Sequence, residues 1–390
     1  MFDYIKFRNF RSYYDENQLT MVASKKIRGR PKDATLQFKK ERFIKSALLF
    51  GANASGKTNV IYAFAEMVKL LNQPTELAGT PLPTAAFGNN KENTMFEFGF
   101  MKDKVAFEYH IEYNEQEVVE EWLKADGQLV FSRKGQSYPV MPDQLQVIEP
   151  NIRKNQLLLF VAQANNVELA SVATAWFLED IDFITPETGI NKADFKLLKK
   201  PMIKNKFVQI LQAADFNILD VFVKVKGEHD HHLEQGQIDV TLQHEDKDKK
   251  CFNLDFEDES RGTKAWMFAI MAILSANESK QNKLILIDEF DSSFHFELAK
   301  VFLSILDERN QNNQLLLTTH DLSLLDNNLS QDKIWFTEND GDGYSKLFSL
   351  DDFDDPRLRR KDAGIRKRYL EGQLGATPII NTAVIKEAFG

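Results

Sequence analysis

Three short stretches carry residue types that can handle a chain of phosphates. The first is Gly51-Ala52-Asn53-Ala54-Ser55-Gly56-Lys57-Thr58, which has the spacing of a P-loop. Its glycines let backbone N–H groups approach phosphate closely, and a helix starting at its end would point its positive pole at the same anion. Gly51, Asn53, Ser55 and Gly56 would line that cradle. Lys57 would reach the β- and γ-phosphates, and Thr58 would ligate Mg²⁺. The second stretch is Leu284-Ile285-Leu286-Ile287-Asp288-Glu289, four apolar residues ending in two carboxylates. Ligands of open parallel sheets bind at such strand ends. Asp288 is placed to hold Mg²⁺, directly or through water, and Glu289 to polarise an attacking water as general base. The third, Leu315-Leu316-Leu317-Thr318-Thr319-His320-Asp321, repeats the layout. His320 at its tip can hydrogen-bond a γ-phosphate or the attacking water. The expected ligands are ATP and Mg²⁺, with Lys57, Glu289 and His320 nearest the chemistry.

These residues need rigid elements to bring them together. Ser46 to Phe50 is a short apolar run of strand type. Asn59 to Leu71 has Ile61, Phe64, Ala65, Val68 and Leu71 at helical spacing. The glycine loop therefore lies between a strand and an amphipathic helix, as a P-loop must. Phe2 to Phe10 reads as a strand, and Met95 to Val140 alternates apolar and polar residues, as antiparallel strands do. Asn155 to Leu219 reads mainly as helices, with a break at Pro186 to Gly189. Asp220 to Phe256 returns to strands, with a charged break at Gly227 to Gly236. Thr263 to Ala276 and Phe294 to Leu306 read as helices, so strand and helix alternate after residue 260 and predict a parallel sheet. The expected fold class is α/β, a P-loop NTPase head in three parts. Residues 1–154 form a β-rich N-terminal lobe, 155–219 a helical insertion, and 220–390 a C-terminal lobe.

Composition narrows the classes of function. The 390 residues are 43% hydrophobic and 27% charged, as in globular proteins. A single cysteine, Cys251, excludes an intrachain disulfide and a cysteine-based zinc site. The longest apolar run, Trp266 to Leu274, falls short of the roughly 20 residues that span a bilayer, and no basic-then-apolar leader opens the chain. The expected setting is cytoplasmic, without a membrane. The net charge of −9 weighs mildly against a dedicated nucleic-acid binder. Basic runs at Lys25 to Arg42 and Arg357 to Arg368 read first as solvated faces and second as contacts for nucleic acid or a partner. His229-Asp230-His231-His232 could bind a metal, although His231 and His232 point opposite ways in an extended chain. Glu117, Glu120 and Glu121 read as a solvated edge, and Cys251 as an inert thiol.

The motifs together resemble the ABC ATPase superfamily, in its SMC, Rad50 and RecF-like branch. Ile5-Lys6-Phe7-Arg8-Asn9-Phe10-Arg11-Ser12-Tyr13 looks like that branch's N-terminal strand and turn, and Asn59 directly after Lys57-Thr58 is typical of it, which implies that Arg11 and Asn59 lie near the nucleotide. Glu259-Ser260-Arg261-Gly262-Thr263-Lys264 occupies the place of the signature motif without its common Leu-Ser-Gly-Gly-Gln form. By the resemblance, Ser260 and Gly262 would serve the ATP of an opposite subunit; taken alone, the tripeptide is a helix cap. Phe290-Asp291-Ser292-Ser293-Phe294-His295 looks like the D-loop, with Asp291 and His295 at the dimer seam, and Gln163 is the Q-loop candidate. A closer resemblance is to compact antiphage-defence ATPases, the RloA and AbiL proteins and the AriA subunit of PARIS systems. Leu350-Asp351-Asp352-Phe353 and Arg368-Tyr369-Leu370-Glu371-Gly372-Gln373-Leu374-Gly375-Ala376-Thr377-Pro378 carry it.

That resemblance implies a homodimer or larger symmetric assembly. It also implies a sensor or regulator ATPase of abortive infection that answers a phage protein and controls a separately encoded effector, a Toprim-type or other nuclease. The runner-up is a RecF-like DNA-repair ATPase that binds DNA. The stretch from Thr58 to Ser260 is too short for the long coiled coil of an SMC or Rad50, and no Cys-x-x-Cys hook exists. A transporter subunit fits the signature and the β-rich region poorly. The chain beyond His320 is too short for an appended Toprim domain.

Overall fold

Continuous apolar runs such as Leu284–Ile287 are stable as strands only when both faces of their sheet are covered. The computed structural model describes all residues except 28, 185–191, 215, 226–237, 280–281, 291–295, 307–311, 327–328, 361–362, 378–385 and 389–390. The expectations for Asp291, His295 and the His229–His232 cluster fall outside the described residues.

The chain opens with β1 (Phe2–Arg8), β2 (Asn17–Thr20) and a small hairpin, β3 (Thr35–Phe38) and β4 (Glu41–Ile44). Next, β5 (Ser46–Gly51) enters the glycine loop and α1 (Lys57–Asn72) leaves it. Five antiparallel strands follow, β6 (Thr94–Lys102), β7 (Val105–Tyr113), β8 (Val118–Ala125), β9 (Gln128–Lys134) and β10 (Ser137–Val140). Then come the single turn α2 (Asp143–Gln146), α3 (Leu158–Ala164), α4 (Glu168–Glu179), β11 (Ile181–Ile184) and α5 (Pro201–Ala213). Three strands, β12 (Asp220–Val225), β13 (Ile238–Glu245) and β14 (Cys251–Asp255), precede α6 (Arg261–Ser279). The chain continues through β15 (Leu284–Ile287), α7 (Phe296–Leu306), β16 (Gln314–Thr318), β17 (Ile334–Asn339), β18 (Ser345–Ser349) and α8 (Ile365–Leu370).

The sheet that carries the site runs in the order β11-β15-β16-β5-β17-β18, parallel except for β18. Both faces are covered. Ala47, Leu49, Leu284, Leu286 and Leu316 face the N-terminal core, whereas Leu48, Phe50, Ile285, Ile287, Leu315 and Leu317 face the C-terminal one. The β-rich lobe is a seven-stranded sheet, β10-β9-β8-β7-β6-β1-β2. Its inward residues alternate, as Phe96, Phe98 and Phe100 do, and pack on α1 and α4. Trp176 of α4 stacks on Phe100 at 4.2 Å between ring centroids, and Phe64 of α1 meets Phe98 at 5.6 Å. The apolar stripe of α1 thus fixes the helix that follows the P-loop.

One reading of the sequence needs correction and another an addition. The region from 155 to 219 is not only helical, because Ile181–Ile184 is a strand parallel to β15. Ile181-Asp182-Phe183-Ile184 is too short for periodicity to decide its conformation, so its pairing partner does. Glu121 is not on a solvated edge; it is fully buried with Arg133. Its carboxylate accepts hydrogen bonds from Leu158 N at 2.7 Å, Leu159 N at 2.8 Å and Tyr109 Oη at 3.0 Å. It therefore satisfies the start of α3 from across the sheet. Burial pushes the Glu121 carboxyl above its usual range, opposed by the Arg133 guanidinium and by those N–H donors. Among the described residues, no helix is long and apolar enough to cross a membrane.

Removing Glu121 leaves Arg133 buried without its carboxylate, so Glu121→Ala should cost about 3–5 kcal/mol in urea unfolding. The neighbouring Glu120→Ala removes a half-exposed ion pair with Lys134 and should cost less than about 1 kcal/mol.

Candidate functional site

Strand register decides which side chains meet. Ile287 lies beside Leu317, Leu317 beside Leu48, and Gly51 beside Thr337. The next residues along β15 and β16, Asp288 and Thr318, therefore stand side by side under the glycine loop. Thr318 Oγ1 donates to Asp288 Oδ1 at 2.5 Å, and Thr58 Oγ1 donates to the same oxygen at 3.1 Å. Glu289 follows with φ of 50°, a left-handed conformation uncommon outside glycine. Its N–H donates to Thr318 Oγ1 at 2.8 Å. A cleft of about 460 Å³ is lined by Asn53, Ala54, Ser55, Gly56, Lys57, Thr58, Asn59, Glu289 and His320.

The loop is held open by close packing from behind. Gly51 has φ of 157°, and a Cβ there would collide with the Thr337 carbonyl and hydroxyl and with Ser55 Oγ. Gly56 has φ of 106°; a Cβ would sit 2.7 Å from Ser345 Oγ, 2.9 Å from Tyr13 Oη and 3.0 Å from Ser12 Oγ. Ser55 Oγ and Thr337 Oγ1 are 2.5 Å apart, and Tyr13 Oη donates to Gly56 O at 3.2 Å. Lys57 Nζ spans the loop, donating to Gly51 O and Ala52 O at 2.9 Å each, and lies 3.4 Å from His320 Nδ1.

The donors suit a triphosphate and a hard divalent cation. Glycines let the loop pack closely against Thr337, Ser345 and Tyr13, in the kind of backbone turn whose N–H groups can face phosphate. The oxygens of Thr58 and Asp288 are the type Mg²⁺ prefers. The residues present therefore fit a Mg²⁺-bound nucleotide.

Of the other expected site residues, Gly51, Asp288, Arg11, Gln163, Ser260 and Gly262 lie apart from the cleft lining. Arg11 sits in a left-handed turn with φ of 52°, and its guanidinium lies 4.0 Å from the Tyr62 ring centroid on α1. Asn59 Nδ2 donates to Ser12 Oγ at 2.8 Å, linking that turn to the P-loop helix. Gln163 is half-buried near the end of α3. Ser260 caps α6: its Oγ accepts from Thr263 N at 3.1 Å. The turn is anchored from β13, where His244 Nε2 lies 2.6 Å from Glu259 Oε1. Neither Ser260 nor Gly262 lines the cleft of its own chain.

Sequence reasoning missed Thr318, Thr337, Tyr13 and Ser345. Thr318 left a signal, a hydroxyl ending an apolar strand, but its meaning needs the register with β15. Ser345 gave none, because its partners Ser12 and Gly56 are hundreds of residues away.

Residues 46–326 match a family described as "AAA domain, putative AbiEii toxin, Type IV TA system". The chain belongs to this AAA_21 family. No curated protein matches at a significant level. Among solved structures, this AAA_21 chain is similar to the SMC head bound to the C-winged helix domain of ScpA, at 11% identity and TM-score 0.45, over 89% of this chain and 97% of that one. It is also similar to the SMC head domain from Thermotoga maritima, at 12% identity and TM-score 0.41, over 89% and 98%. A third is the Smc head domain with an extended coiled coil bound to the C-terminal domain of ScpA, derived from Pyrococcus furiosus, at 12% identity and TM-score 0.46, over 89% and 96%. The architecture is mixed α/β, with large β-sheets around the glycine loop.

Gly56→Ala forces a side chain into a left-handed loop already filled by Ser345 and Tyr13, at a cost of about 1–3 kcal/mol. Equilibrium urea unfolding should show that loss, whereas Gly79→Ala, with open space around it, should stay within about 1 kcal/mol.

Proposed function

We propose that the chain is an ATPase whose nucleotide, with Mg²⁺, lies between two copies. The observation that carries this is the meeting of Lys57, Thr58, Glu289 and His320 on one cleft, with Asp288 buried beside it and bonded to Thr58. Lys57 and the loop amides would hold the phosphates, and Thr58 and Asp288 would hold Mg²⁺, which supplies charge neutralisation. Glu289 would accept a proton from the attacking water, and His320 would steady the terminal phosphate. The Ser260–Gly262 turn, outside its own chain's cleft, would complete the partner's site through a helix N-terminus.

At the level of the cell, the reading is a regulator of antiphage defence that controls a separate nuclease effector. The toxin–antitoxin name of the matched family is compatible with that role, as are the closing Leu350–Phe353 and Arg368–Pro378 stretches. A partner is driven by nucleotide only if it binds the open and closed forms with different affinity.

Lys57→Ala should abolish binding of a fluorescent ATP analogue. Glu289→Gln should bind it normally and hydrolyse ATP at least about a hundredfold more slowly, the usual scale for a lost general base; unchanged turnover would remove Glu289 from that role. The Glu289→Gln protein should form an ATP-dependent dimer in size-exclusion chromatography, and adding Ser260→Arg should abolish that dimer. Full turnover by a monomer would overturn the shared site. Phage challenge of cells carrying this gene, its neighbour or both tests the cellular role. Protection by this chain alone would favour an autonomous DNA-binding ATPase.

A further inference from the structure

We infer that Thr318 is a positioning residue for both carboxylates of the site, through the two sides of one hydroxyl. The inference deepens the hydrolytic reading above and rests on it.

Thr318 is the last residue of β16 and only 1% exposed. Three leucines precede it, so valine would match both its shape and its strand. The hydroxyl is what valine lacks, and both its functions are in use. Its proton goes to Asp288 Oδ1 at 2.5 Å. Its lone pair accepts Glu289 N–H at 2.8 Å. The first bond fixes the rotamer of the expected metal ligand. The second holds Glu289 in its left-handed conformation, φ of 50°, which costs on the order of 1–3 kcal/mol and persists only where the surroundings impose it. That conformation carries the Glu289 side chain into the cleft, whereas Asp288, one residue earlier, stays buried.

The bonds form a chain: Thr58 Oγ1 to Asp288 Oδ1, Asp288 Oδ1 to Thr318 Oγ1, Thr318 Oγ1 to Glu289 N. It runs from the P-loop helix to the backbone of the expected base. Thr318 does not line the cleft. It acts by setting where two other groups point, and only a group that donates and accepts at once can do so. Serine keeps that property; valine and alanine do not.

The test compares wild type, Thr318→Val, Thr318→Ala, Thr318→Ser and Glu289→Gln as full-length proteins. Urea unfolding checks folding, a fluorescent ATP analogue reports binding, and phosphate release gives kcat, KM and the Mg²⁺ concentration for half-maximal rate. Thr318→Val should bind the analogue within about threefold of wild type. Its kcat should fall at least tenfold, the scale on which small misplacements of reacting groups act. KM should move less than threefold, and the Mg²⁺ requirement should rise. Thr318→Ser should recover kcat to within about threefold. If valine does not fold, alanine must show the same split between kcat and KM. A valine or alanine variant with wild-type kcat and Mg²⁺ dependence overturns the inference, and so does a serine variant as slow as alanine. If wild type hydrolyses no ATP, or Glu289→Gln is as fast as wild type, the hydrolytic reading itself falls and takes this inference with it. Loss in Glu289→Gln with none at Thr318 removes Thr318 alone.

Discussion

Parallel strands that share a sheet finish at the same edge, and every polar group of the site stands where such a strand runs out. β5 ends in the glycine loop, β15 in Asp288 and Glu289, and β16 in Thr318 and His320. A sheet covered on both faces cannot tolerate polar side chains along its length without hydrogen-bond partners. The chemistry is therefore pushed to the edge, where the backbone turns and polar atoms find one another. A one-residue slip of β16 would turn Leu317 away from its core and separate Thr318 from Asp288 together. The hydrophobic packing that stabilises the sheet is also what aligns the site.

Much of this was legible in the residue order. The P-loop, the Asp288-Glu289 pair and His320 each sit beside a short apolar run, and local pattern sufficed to place them on strand ends. The alternation from Met95 to Val140 likewise foretold the antiparallel lobe. What the sequence could not show depends on pairing across long separations. Ile181–Ile184 is a strand because β15 lies next to it. Glu121 looks like its neighbours Glu117 and Glu120, yet it is buried because the start of α3 needs an acceptor there. Ser260 is an intermediate case. Its place before a helix was readable, and the cap to Thr263 is present; a cap and a phosphate-binding turn look alike in one chain, because both use the free N–H groups of a helix start.

The packing behind the P-loop also bears on how the chain is made. Gly56 is boxed in by Ser12 and Tyr13 from one end of the sequence and by Ser345 from the other, with Ser345 Oγ donating to Ser12 Oγ at 2.7 Å. Likewise, Gln314 exchanges hydrogen bonds with both backbone groups of Phe2. During synthesis the glycine loop precedes Thr337 and Ser345, which complete its back wall. A chain stopped short of Thr337 would own every atom of the P-loop and still lack part of the frame around its glycines. Contacts so distant in sequence form late and slowly. In the reading proposed above, the nucleotide site would become competent only once Thr337 and Ser345 have been made.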